Sequence, residues 1–218
     1  MFSAVPDDTY LMRTYCVTEP GKYRLACFPH ILDPPRYYLG LSGLLLPTVE
    51  VLPFQYLESC GDGAPTRIRD VEDLADQALV SLMEWTDLPL ALFGHRSGAY
   101  LAYRVAQRME RAGGPVPATL FVAGRRAPSR EDRRERGRLS CRIVALAGDS
   151  TEEPARADVE EWSECTSGSF DLELFPGVHG LLESNQRQVA NLIHDELLSA
   201  ASPPIRDPVE YVPRGRIR

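Results

Sequence analysis

The stretch Leu92-Phe93-Gly94-His95-Arg96-Ser97-Gly98-Ala99-Tyr100-Leu101-Ala102-Tyr103 reads as an apolar strand, a tight bend and the opening of a helix. Glycines two places either side of the bend let strand and helix approach closely around a strained turn. That is the layout of G-x-S-x-G, in which the middle residue is a nucleophile held at the top of a sheet. Here the middle position holds Arg96, and a serine follows one place later at Ser97.

Working outward, short apolar, β-rich runs alternate with helical patterns, the rhythm of an α/β protein with a mostly parallel sheet flanked by helices. The runs predict strands over 23–28, 49–54, 88–93, 118–122, 142–147 and 170–175. Val71, Leu74, Ala75, Ala78, Leu79, Leu82 and Met83 form an apolar stripe at helical spacing, with Asp70 placed to cap it. Further helices are predicted over 98–111, 155–164 and 183–200, the last turning Val189, Leu192, Ile193 and Leu197 inward. Residues 1–201 read as one domain. Residues 202–218, with Pro203, Pro204, Pro208 and Pro213 and no apolar periodicity, read as a tail.

A chain of 218 residues can bury a sizeable core without metal or disulfide staples. With 24 Lys+Arg against 31 Asp+Glu, the net charge of −7 argues against nucleic acid or an anionic membrane as partner. Cys16, Cys27, Cys60, Cys141 and Cys165 are odd in number and widely spaced, which points to reduced, buried thiols and to neither a disulfide framework nor a zinc site. The histidines lack ligand pairing and no glycine loop of phosphate-binding type occurs, so no metal or cofactor is expected. Asp7 and Asp8 stand where a targeting segment would be basic, and no apolar run approaches the ~20 residues of a membrane span. The expectation is a soluble, cytoplasmic protein.

Four segments together resemble the type II thioesterases that serve polyketide and nonribosomal peptide synthetases. They are the elbow above, Cys27-Phe28-Pro29-His30, Leu120-Phe121-Val122-Ala123-Gly124-Arg125-Arg126-Ala127-Pro128, and Trp162 followed by Phe175-Pro176-Gly177-Val178-His179. The resemblance implies an α/β-hydrolase fold and removal of acyl groups from carrier-bound phosphopantetheine by serine attack. It also implies that His179 is the catalytic histidine; beside it, His30, Ile31, His95 and Tyr56 are expected to line the substrate side.

The departures are as informative as the match. A guanidinium at the nucleophile position stays protonated and cannot attack a thioester, and Ser97 lies one step round a tight bend, so its side chain points elsewhere. The family's acid follows a G-x-x-D spacing, which puts Thr151 in that place and leaves Asp149 as the candidate, either a turn residue or the partner of His179. Ile31-Leu32-Asp33-Pro34-Pro35 replaces small residues and glycines on the oxyanion side, and Tyr56-Leu57-Glu58-Ser59-Cys60-Gly61 replaces a Pro-Gly-Arg type segment. A lid of several tens of residues is expected after Pro128, but only Ser129 to Leu139 precede the next strand, so the lid is reduced or absent. The apolar surface this leaves suggests a homodimer or a hetero-complex.

Three readings follow. In the first the site is non-hydrolytic and repurposed: Arg96 holds an anionic group of an acyl or polyketide intermediate and His179 moves a proton in a cyclisation, dehydration or isomerisation. In the second the fold is catalytically silent and binds a carrier domain or pathway enzyme through residues 124–138. That segment holds seven arginines among fifteen residues and otherwise reads as a solvated loop or short surface helix. In the third a residual thioesterase works through Ser97.

Overall fold

The computed structural model describes residues 11–12, 21–30, 36–55, 71–149, 154–176 and 181–201. Six strands form a parallel sheet: β2 (Tyr23–Phe28), β3 (Val49–Gln55), β4 (Leu90–His95), β5 (Thr119–Ala123), β6 (Arg142–Gly148) and β7 (Phe170–Phe175). The short β1 (Leu11–Met12) pairs antiparallel with β3, giving the order β1-β3-β2-β4-β5-β6-β7. Strands β2, β4 and β5 are buried along their whole length, which is why they read as continuous apolar runs without alternation.

Helices cover both faces. On one side α2 (Val71–Met83) and α3 (Ser97–Arg111) pack Leu74, Ala78, Leu82, Leu101 and Val105 against alternate strand residues such as Ala26, Leu92 and Leu120. On the other, α1 (Arg36–Leu45) and α7 (Gln186–Ala201) pack Leu41, Leu45, Val189, Ile193 and Leu197 against Leu25, Phe93 and Phe121. The predicted helix over 155–164 divides into α5 (Arg156–Glu160) and a 3-10 turn (Glu161–Cys165), and the C-terminal one is preceded by a separate turn, α6 (Leu181–Ser184). Helix α1 was not predicted: Gly40 and Gly43 interrupt its apolar pattern, and packing on α7 stabilises it. Asp70, the proposed cap of α2, lies outside the described residues.

Between β5 and β6 stands only α4 (Arg130–Arg136), capped by Ser129, whose hydroxyl accepts from the Asp132 N–H at 3.2 Å. The arginine-rich segment is therefore a short helix, and it is fastened down. Arg133, side chain 5% exposed, donates to Pro128 O at 2.7 Å, Glu161 at 3.0 Å and Glu164 at 2.9 Å. Arg136 bonds Asp132 at 2.5 Å and Glu72 at 3.1 Å. Arg133 is therefore a packing residue and no part of a docking face, while Arg126, Arg130, Arg134 and Arg138 face outward.

The same Glu72 ties α2 to α3. Arg104, almost fully buried, donates to it through Nε (3.1 Å) and Nη2 (2.6 Å), and Arg108 adds a bond of 2.7 Å. Burial alone would raise the Glu72 carboxyl, but the hydrogen bonds and charges of the two guanidiniums outweigh it and hold the group at about 2. The described cysteines Cys27, Cys141 and Cys165 are buried and unpaired, and burial pushes their thiols up, Cys141 and Cys165 to about 12. Cys16 and Cys60 lie outside the described residues.

The parallel order reverses direction between β2 and β4, and the crevice beyond their carboxyl ends is where open α/β sheets bind ligands. The elbow lies there. A Cβ on Gly98 would stand 1.9 Å from the Phe28 carbonyl oxygen, and one on Gly94 would stand 2.4 Å from Ala99 Cα. Arg96, at the apex, has φ 50° and ψ −116°, with its N–H donating to Ala123 O at 2.8 Å.

Gly98→Ala is expected to lose about 3 kcal/mol or more in urea denaturation, because backbone and not a flexible side chain obstructs the methyl. Arg96→Gly is expected to gain about 1 kcal/mol by relieving the positive φ. Stability is also expected to fall as pH drops from the ordinary 4.5 of Glu72 toward 2, since the bonded carboxylate must take up a proton on acidification. In Glu72→Gln that part of the acid dependence should vanish from the same denaturation series.

Candidate active site

Parallel pairing of β2 with β4 sets Phe28 beside Gly94, so the segments leaving the two strands, Pro29-His30 and Arg96-Ser97, emerge next to each other. Gly98 lets the first turn of α3 settle onto Phe28 and Pro29. The result is a hydrogen bond absent from the sequence reading: Ser97 Oγ lies 2.7 Å from His30 Nδ1. Both residues are half-buried and reachable from the crevice. Motif and spacing give these two residues unrelated roles; what joins them is the register of β2 on β4.

Arg96 is exposed at the apex, and among the described residues no carboxylate pairs with its guanidinium. His95, expected on the substrate side, is the last residue of β4 and only 4% exposed. A Cβ on Gly124 would lie 3.5 Å from His95 Nε2 and 3.7 Å from Arg96 Cγ. Those are ordinary van der Waals distances, so what favours glycine at 124 is its backbone, at φ 63°. Asp149 sits exposed just beyond β6, its N–H donating to Phe175 O at 2.9 Å. His179, Ile31 and Tyr56 lie outside the described residues.

Beside the elbow the Gly-Arg-Arg-Ala-Pro run has a structural logic of its own. The Arg125 carbonyl accepts from Trp162 Nε1 at 2.9 Å, and its guanidinium stacks 5.6 Å from the centre of the Tyr100 ring. The Tyr100 hydroxyl donates to Asp132 at 3.0 Å. Burial draws the Arg125 guanidinium down and the Tyr100 phenol up, the latter aided by Asp132. An open depression of about 380 Å3 lies here, between Tyr100, Arg125, Pro128, Ser129 and Asp132. Its outer wall is α4, where the family's lid was expected. Among the described residues no group of acidic, histidine or cysteine side chains could hold a metal ion, and no helix is long and apolar enough to cross a membrane.

The thioesterase domain family profile matches residues 23–142. The chain is 29% identical to thioesterase PikA5 of Streptomyces venezuelae, across 91% of this chain and 89% of that one. The alignment runs over 250 positions while taking in 91% of 218 residues, so roughly fifty of its positions have no counterpart here. Among solved structures, the type II thioesterase BorB from the borrelidin biosynthetic cluster superposes with a TM-score of 0.74 at 27% identity, covering 89% of this chain and 98% of BorB. RedJ, a thioesterase from the prodiginine pathway of Streptomyces coelicolor, gives 0.68 at 26% identity, covering 84% and 91%. Sheet order, elbow, Gly-Arg-Arg-Ala-Pro run and these likenesses agree: the chain belongs to the thioesterase domain family and has its α/β-hydrolase fold.

Proposed function

We propose that this protein serves polyketide or nonribosomal peptide biosynthesis by handling a carrier-bound acyl or polyketide intermediate at its elbow, without the hydrolysis that an apex serine performs. The observation that carries this reading is Arg96: a cation stands, exposed and without a described carboxylate partner, where the fold presents its nucleophile. A guanidinium attacks no carbonyl, but it holds a carboxylate, an enolate or a phosphopantetheine phosphate through paired, charge-assisted hydrogen bonds. His179, the counterpart of the family's catalytic histidine, moves the proton. The reaction is then a cofactor-free cyclisation, dehydration or isomerisation.

The pathway is supported by the relatives: BorB comes from the borrelidin biosynthetic cluster and RedJ from the prodiginine biosynthetic pathway. The short β5–β6 connection supports a site open to a bulky, carrier-tethered chain in place of a closed acyl tunnel. The outward arginines of α4 suit the acidic surface of a carrier domain.

Mass-spectrometric turnover of an acyl-phosphopantetheine carrier thioester is expected to show no free acid released by the parent. Conversion of the pathway intermediate is expected to fall about 100-fold or more in Arg96→Ala and His179→Ala, the scale of a lost positioning cation or proton carrier. Free acid formed by the parent, or equal conversion by parent and both variants, would overturn the reading.

A further inference from the structure

We propose that Ser97 is a nucleophile activated by His30, a pair displaced by one residue from the elbow apex and built from a different histidine than His179. Four observations converge on it. Ser97 Oγ and His30 Nδ1 are 2.7 Å apart, the reach of a nucleophile and its base. Both side chains are half-buried in the crevice between β2 and β4, where a ligand can meet them. Ser97 is the first residue of the 15-residue α3, so charge developing on its oxygen faces the positive end of a helix. Arg96, one residue earlier, is exposed at the apex of the same bend, so a cation stands at the mouth of the crevice. The approach exists only because Gly98 carries no side chain against Phe28.

The inference rests on the function proposed above in taking a thioester as acyl donor. His30 Nδ1 takes the proton of Ser97 Oγ as that oxygen bonds to the thioester carbonyl carbon. The carbon–sulfur bond breaks, the sulfur leaves with the proton returned by His30, and Ser97 carries the acyl group as an ester. A hydroxyl of the acyl chain itself then attacks the ester carbonyl, its proton passes through His30 to Ser97 Oγ, and a lactone leaves. This requires the His30 tautomer with its proton on Nε2, and it gives the proton transfers of the cyclisation named above to His30 in place of His179.

The test needs no carrier protein. The full chain is incubated with an alkyl fluorophosphonate and the adduct is located by intact mass and peptide mapping. A single adduct on Ser97 is expected, absent in Ser97→Ala and formed about 100-fold more slowly in His30→Gln. His194→Ala, an exposed imidazole on α7, should label like the parent. Should His30→Gln fold poorly by circular dichroism, Ser97→Cys supplies a second measurement: alkylation of its thiol by iodoacetamide should be faster with His30 present than with His30→Asn. No adduct, an adduct on another residue, or rates indifferent to position 30 would overturn the pair and leave the function proposed above standing. Labelling of Ser97, together with conversion of a hydroxyacyl thioester to free acid by the unlabelled protein, would support the pair and overturn the non-hydrolytic reading.

Discussion

A methyl on Gly98 would lie 1.9 Å from the carbonyl oxygen of Phe28, and much of the site depends on that absent carbon. Helix α3 must begin directly at the end of β4 while its first turn rests on the end of β2. Only a residue without a side chain allows both. Gly94 meets the same demand from the other side, with Ala99 Cα 2.4 Å from where its Cβ would be. Once these two contacts are made, the apex has no relaxed conformation left to it. Arg96 sits at φ 50°, and strain of this kind persists only where the surroundings over-determine it.

That over-determination is why replacing the apex residue did not dismantle the elbow. The bend is held by backbone: Arg96 N–H to Ala123 O, Ala99 N–H to Arg96 O, and two glycines packed against main chain. None of these uses the apex side chain, so its chemistry can change from hydroxyl to guanidinium while the geometry stays. The same backbone carries Ser97 round to His30, whose strand is fixed beside β4 by parallel pairing. A fold that positions its functional atoms through main-chain contacts can shift its reactive group by one residue without rebuilding its core.

The arginines divide by burial. Arg104 and Arg133 are nearly fully enclosed, and each is met by carboxylates, Glu72 for the first and Glu161 and Glu164 for the second. Such pairs offset the large cost of removing a guanidinium from water, and breaking either would leave a buried charge unmatched. Arg96 belongs to the opposite class, solvated at the end of the sheet and available to a ligand. An acidic chain thus has a local cation at its crevice while most of its other buried arginines act as fasteners.

The sheet and its principal helices were legible from the chain alone, because burial on both faces makes strands such as 90–95 and 119–123 near-continuous apolar runs, the edge strand 170–175 alternates apolar with acidic residues, and 71–83 carries an unbroken apolar stripe. The sequence also determined that the apex holds Arg96 and that the β5–β6 insertion is short, since motif spacing carries both. Helix α1 was not legible, because its stability comes from packing on α7 and not from local pattern. Nor was the division of the seven arginines, in which Arg133 and Arg136 are fastened because Glu161, Glu164 and Glu72 arrive from elsewhere in the chain. The Ser97–His30 contact joins residues 67 positions apart, and no periodicity or motif spacing encodes it. It arises from the parallel register of β2 and β4 and the missing Cβ of Gly98, which together bring the two strand ends within hydrogen-bonding distance.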